Sequence, residues 1–150
     1  MSETNKQILL ASRPTGWVEE ANFKLVGTPV PQIADGQLLV RNHWLSLDPY
    51  MRGRMNDTKS YAAPVKIGDV MIGGTAGEVV ASKHPKFAVG DKVVGMLGWQ
   101  LYGVSDGTLL MKVDDRHIPL SAYLGSVGMP GVTAWYGLMD ICAPKAGETV

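Results

Sequence analysis

The chain has 150 residues, in which 14 lysines and arginines balance 14 aspartates and glutamates, with 18 glycines, 9 prolines and one cysteine. Zero formal charge leaves no electrostatic footprint for a phosphate backbone or an anionic bilayer, so nucleic acid and membrane surfaces are set aside as partners. The lone Cys142 excludes an internal disulfide framework and a multi-cysteine zinc site, and it suits a reducing, cytoplasmic setting.

From the N-terminus, the chain is polar until Ile8-Leu9-Leu10-Ala11, an apolar run too short for an export signal or a membrane span. The first two thirds then read as short strands between turn signals. Gln37–Leu47 follows the breaker Ala34-Asp35-Gly36, with Val40, Asn42 and Trp44 on one face and Leu39, Arg41, His43 and Leu45 on the other. Val70–Ile72, Ala76–Ser82 and Asp91–Trp99 predict three more strands, and Gly107–Val113 a fifth. No amphipathic helix separates them, which points to a β-barrel or folded sheet rather than βαβ units. Further on, Val132, Trp135, Tyr136, Leu138, Met139 and Cys142 recur at helical spacing between Pro130 and Ala143-Pro144. One helix is expected there, with Cys142 as a small buried hydrophobe on its apolar stripe. The last residues, Lys145–Val150, read as a turn entering a new strand, so the chain is expected to stop where that strand begins.

The candidate chemistry is sparse. His43, His84 and His117 are far apart, and none has a second His or a Cys at ligand spacing, so no metal is expected. Gly73-Gly74-Thr75-Ala76-Gly77 leads into a strand, whereas a phosphate cradle needs a helix behind it; it reads as a strand turn. In Leu45–Met55, Asp48 and Pro49 suit a structural corner, with Asp48 capping the turn that Pro49 starts. Tyr50, Met51, Met55 and the nearby Tyr61 fit two readings, core packing or the wall of an apolar pocket with phenolic handles. The glycines around Met129-Pro130 likewise fit an ordinary helix start or a set of amides facing an anion.

Taken together, Leu45–Met55, Ile72–Thr75, Phe87–Val93, Leu124–Leu138 and Lys145–Val150 resemble the zinc-independent medium-chain dehydrogenase/reductases. Within them they are similar to the NADP-dependent alkenal/one oxidoreductase branch, with the prostaglandin reductases and the bacterial curcumin reductases; Ser60-Tyr61-Ala62-Ala63-Pro64 favours the latter type. The resemblance implies a mainly β, GroES-like barrel with short helices and a C-terminal linking helix. It also implies a Rossmann domain that these residues do not include. Residues 1–128 would be the catalytic and substrate domain, and 129–150 the linking helix and the start of the first Rossmann strand.

The function so implied is NADPH-dependent reduction of the carbon–carbon double bond of an α,β-unsaturated ketone or aldehyde, without a metal. NADPH would be held mainly by the Rossmann domain, so the 150-residue chain alone is expected to be inactive. Tyr61 is the expected substrate-contacting and proton-donating residue, with Tyr50 next. Pro49, Met129 and Thr133 match positions near the nicotinamide, and Met55 and Trp99 match the substrate cleft. Arg52 is assigned no chemistry and is expected to hold its loop through a carboxylate. The partners expected are a small-molecule enone and a second copy of the chain in a homodimer. Two other functions stay open: a quinone reductase, and a free-standing GroES-like module that binds a ligand or protein without catalysis.

Overall fold

In the computed structural model, which describes residues 3–150, β1 (Thr4–Leu10) and β2 (Phe23–Pro29) form an antiparallel pair, Thr4 opposite Pro29 and Leu10 opposite Phe23. A second sheet contains β3 (Leu38–Leu45), β4 (Thr75–Ser82), β5 (Lys92–Gly95), β6 (Tyr102–Ser105) and β7 (Met111–Val113). Its order is β6-β3-β4-β5-β7, with every neighbouring pair antiparallel. The short helix α1 (Tyr50–Arg54) leaves the end of β3, and α2 (Met129–Tyr136) runs on into a wider π-turn over Gly137–Cys142. Among the described residues, no helix is long and apolar enough to cross a membrane.

The mainly β architecture with short helices agrees with the expectation, but the sheets do not close into one barrel. The smaller sheet is instead seamed to two loop segments. The amides of Ile8 and Leu101 donate to the carbonyls of Trp99 and Lys6 at 2.9 and 3.0 Å, and the Met71 amide donates to Ile8 at 2.9 Å. Buried Asn5 closes the seam: its side chain donates to the Tyr102 carbonyl and accepts from the Tyr102 amide, both at 2.9 Å. A polar side chain is tolerated there because both ends of its amide are paired.

Several element boundaries differ from expectation, each for a local reason. Strict alternation along β3 fails because register shifts fall between Leu39 and Val40 and between Asn42 and Trp44, so Leu38, Leu39 and Val40 are all buried in succession. Gly77 permits this bulge, since a Cβ there would run into the Arg41 carbonyl oxygen. Val70–Ile72 is not a strand; it makes a single bridge, Leu9 to Val70. The strand expected over Asp91–Trp99 stops at Gly95, before Gly98 turns the chain with φ +77° against the Met71 carbonyl. The one expected from Gly107 starts only at Met111, after Leu109 takes the left-handed region at φ 57°. No strand forms at the C-terminus, where residues 144–150 contain only a turn.

Two clusters make the core. Leu38, Val40, Val79 and Val93 pack within the larger sheet, while Leu10, Met55, Val65 and Met71 pack beneath α1, flanked by Phe23 and Trp99. The second cluster positions the site.

Candidate functional site

β3 ends with the Ser46 amide donating to the Gly74 carbonyl at 2.9 Å, which turns the following residues across the end of the sheet. Asp48 does not cap α1 with its side chain as expected: its carboxylate accepts from the Ser46 hydroxyl at 3.0 Å. The Asp48 carbonyl takes the Met51 amide at 3.1 Å instead, and Pro49, already helical at φ −56°, leads into the helix. That short helix buries Met51 and Arg54 and leaves Tyr50 half-buried on its other side.

Tyr50 lines a cavity of about 270 Å³ at the end of the sheet. Ser46, Asp48 and Tyr50 line it together with Tyr123, Leu124 and Met129. Met96, Leu109 and Met111 also line it, and sequence reasoning had not singled these out. Nothing in their local pattern marked them, because loops and the ends of distant strands bring them together. Leu109 alone carries a signal in the structure, a left-handed backbone on a side chain that is 86% exposed. Burial pushes the Tyr50 phenol above its ordinary value; Asp48 and Tyr61 add to the shift and Arg54 opposes it. The phenol is therefore a donor in a mostly apolar hollow.

A second cavity, of about 300 Å³, adjoins the first at Asp48. Pro49, Met55 and Trp99 line it together with Phe23, Met51 and Met71. Asp48 borders both cavities. Met55 is almost wholly buried and packs in the core while also bordering this cavity. Trp99 stacks on Phe23 with ring centroids 5.4 Å apart, and Gly73 leaves the room its indole occupies: a Cβ there would sit 3.0 Å from Nε1. Gly73 is thus a seat for an aromatic ring, beyond the simple turn that its sequence suggests.

Tyr61 and Thr133 line neither cavity. Tyr61 is 85% exposed, its ring over the Arg54 guanidinium. The Thr133 hydroxyl donates back to the Met129 carbonyl at 2.8 Å, an ordinary helical use of threonine. Amides at the start of α2 are also taken, Gly131 by the Gly125 carbonyl at 3.1 Å and Val132 by Gly128 at 3.0 Å, so the structure favours a plain helix start over an anion site. Among the described residues Arg52 pairs with no carboxylate: it donates to the Pro14 and Gly16 carbonyls and to the Asn56 side chain. Cys142 is exposed rather than buried, and Val132, Trp135 and Ile141 are exposed with it, because α2 rests mainly on its own neighbouring turns.

Residues 6–113 match the family described as the N-terminal domain of oxidoreductase. Over 148 residues the chain is 50% identical to the NADPH-dependent curcumin reductase of Escherichia coli (strain K12), covering 99% of this chain and 43% of that protein. It is 39% identical over 152 residues to the NADP(+)-dependent 2-alkenal reductase of Nicotiana tabacum, covering 98% of this chain and 44% of that one. The crystal structure of CurA in complex with NADPH from Vibrio vulnificus superposes with a TM-score of 0.86 at 49% identity, covering 95% of this chain and 42% of that chain. The chain therefore spans less than half the length of the proteins it matches.

Proposed function

Because the chain belongs to the family of oxidoreductase N-terminal domains, within the GroES-like part of the medium-chain dehydrogenase/reductases, we propose that it forms the substrate side of an NADPH-dependent reductase of α,β-unsaturated ketones and aldehydes. The observation that carries this reading is the Tyr50 phenol, held protonated in the wall of an apolar cavity that the start of α2 also lines. Such a hollow suits an uncharged conjugated carbonyl, and a phenol donor stabilises the oxyanion that develops as the double bond is reduced.

The residues on this chain fit one end of NADPH only. Among the described residues no lysine or arginine lines the Tyr50 cavity, and Asp48 would repel phosphate there, so its Met129 rim, with Pro49 on the adjoining cavity, suits an uncharged nicotinamide ring. When bound, NADPH supplies the hydride that reaches the β-carbon of the enone. Tyr50 donates its hydrogen bond to the enone oxygen, and Tyr61, one loop away, is the second phenol available to donate or return a proton. Met129 shapes the rim, with Thr133 holding its carbonyl; Met55 and Trp99 line the adjoining cavity for the body of the substrate. The phosphates require cations from outside these residues. We assign that task, and the cover over the exposed face of α2, to the additional length that the relatives have.

The test compares the natural-length protein with residues 1–150 alone, each given NADPH and either an enone or a simple quinone. The expected result is enone-dependent NADPH oxidation by the former and none by the latter. Oxidation with quinone but not enone would assign a quinone reductase, and turnover by residues 1–150 would place the cofactor site wholly within them.

A further inference from the structure

Between β1 and the turn at Glu20–Asn22 the chain carries Trp17, whose side chain is 95% exposed. Its loop is held firmly in place. Arg52 of α1 donates through Nε and Nη2 to the Gly16 carbonyl at 3.2 and 2.8 Å, and through Nη2 to the Pro14 carbonyl at 3.2 Å. Its remaining Nη1 donates to Asn56 at 2.6 Å, so the guanidinium is locked as well. Gly16 sits at φ +111°, a backbone state that other residues rarely adopt. A rigid loop thus presents a large indole to solvent, an arrangement that leaves on the order of 150–250 Å² of aromatic surface uncovered.

Gly16, Trp17, Val18 and Arg52 line an open hollow of about 560 Å³. Val18 and Arg52 also line the Pro49–Met55–Trp99 cavity, and Asp48 joins that cavity to the one holding Tyr50. The three hollows therefore adjoin in series, the first two at Asp48 and the last two at Val18 and Arg52. We propose that Trp17 and the fixed face of Arg52 form a distal subsite for the aryl or extended apolar arm of an enone whose carbonyl lies at Tyr50. This rests on the reductase reading given above. A planar arm fits because both groups offered are flat and the guanidinium is already fixed by its hydrogen bonds, so that stacking on it costs little ordering. A short enone would fill the Tyr50 cavity alone and never reach the indole.

The experiment uses the natural-length protein with two substrates: methyl vinyl ketone, and chalcone, which has an aryl ring on each side of the enone. Trp17→Ala is expected to raise KM for chalcone about tenfold with kcat little changed, to leave methyl vinyl ketone kinetics as they were, and to be rescued by Trp17→Phe. Equal changes for both substrates, or a lowered Tm with no difference between them, would show that protein covers the indole and would overturn the proposal. Should the unsubstituted protein reduce neither enone, the reductase reading fails. The subsite is then judged by the calorimetric Kd for chalcone: weakening in Trp17→Ala supports it, and an unchanged or undetectable affinity overturns it.

Discussion

The guanidinium carbon of Arg54 lies 4.1 Å from the centroid of the Tyr61 ring, so an exposed tyrosine rests on a buried cation. The same guanidinium donates to the Ala62 carbonyl at 2.5 Å, fastening the loop after α1 to the helix from which Tyr50 projects. Among the described residues Arg54 has no carboxylate within ion-pair distance; its charge is compensated by a carbonyl and a π-face. A cation–π contact of this kind contributes about 0.5–2 kcal/mol, according to how dry it is.

Arg54→Met is expected to destabilise the protein by about 1.5–3 kcal/mol, the usual worth of a charged hydrogen bond, and to loosen residues 60–63. Arg54→Lys keeps the charge without the planar fork and should recover only part of this. Urea denaturation of the variants gives the comparison. An unchanged midpoint for Arg54→Met would mean that the loop is held by other contacts.

Removing the Tyr50 hydroxyl tests the proposed chemistry most directly. If that phenol stabilises the developing oxyanion, Tyr50→Phe should lower kcat by about a hundredfold with little change in KM. Tyr61→Phe should lower kcat as well if its hydroxyl acts in proton transfer. Steady-state kinetics of the natural-length protein decide both. A KM effect alone would assign the phenols to binding.

The pH dependence follows from which groups are perturbed. Tyr50 is raised above its ordinary value of 10.0, so it stays protonated through neutral and mildly alkaline conditions, and the rate should show no limb from its ionisation below that value. On the acid side, the hydrogen bonds from Lys92 to Glu78 and from Lys112 to Asp91 hold those carboxyls below their ordinary 4.5 and 3.8, and Arg116 lowers Asp114 to about 2. Lowered values mean that the folded state binds fewer protons than the unfolded chain as pH falls. The stability these pairs give is complete above about pH 5 and is lost as pH drops through the folded values. All three are exposed to solvent screening, so the loss should be shallow. Tm measured against pH is the check, and a steep fall near neutrality would contradict it.

Glycine substitutions should separate sharply by place. At Gly131 a Cβ would run into the Ser126 carbonyl, and at Gly77 into that of Arg41. Alanine at either is expected to cost about 1–3 kcal/mol. At Gly53, within α1, a Cβ meets nothing, so Gly53→Ala should stabilise by about 0.5–1 kcal/mol. Chemical denaturation of the three variants reads this order, and a reversed order would contradict the backbone approach at Gly77 and Gly131.

The sequence made β3, β4 and the helix starting near Pro130 legible because their apolar runs sit between glycine or proline breaks, even though the alternation expected along β3 does not hold. β1 and β2 stayed hidden for a physical reason. Their polar residues are not merely an outer face: Asn5 is buried and paired across the molecule, and Gly27 lies under Thr4. Of the site, the Asp48–Met55 stretch was legible as a corner rich in tyrosine and methionine. Its division into two cavities was not, since that depends on which side of one short helix each side chain leaves. Trp17 carried no pattern at all, and only the Arg52 hydrogen bonds make its position meaningful.

The seam that joins β1 to residues 99–101 also constrains the order in which the chain can assemble. During synthesis β1 can pair with β2 as soon as Pro29 emerges, but Asn5, Ile8 and Lys6 find their other partners only after Trp99, Leu101 and Tyr102 have been made. Contacts at such separation in sequence form slowly, because a long loop must close before any of them can contribute. β1 is thus made well before it can be completed, and a nascent chain stalled before residue 99 would expose one edge of the β1–β2 pair to other chains.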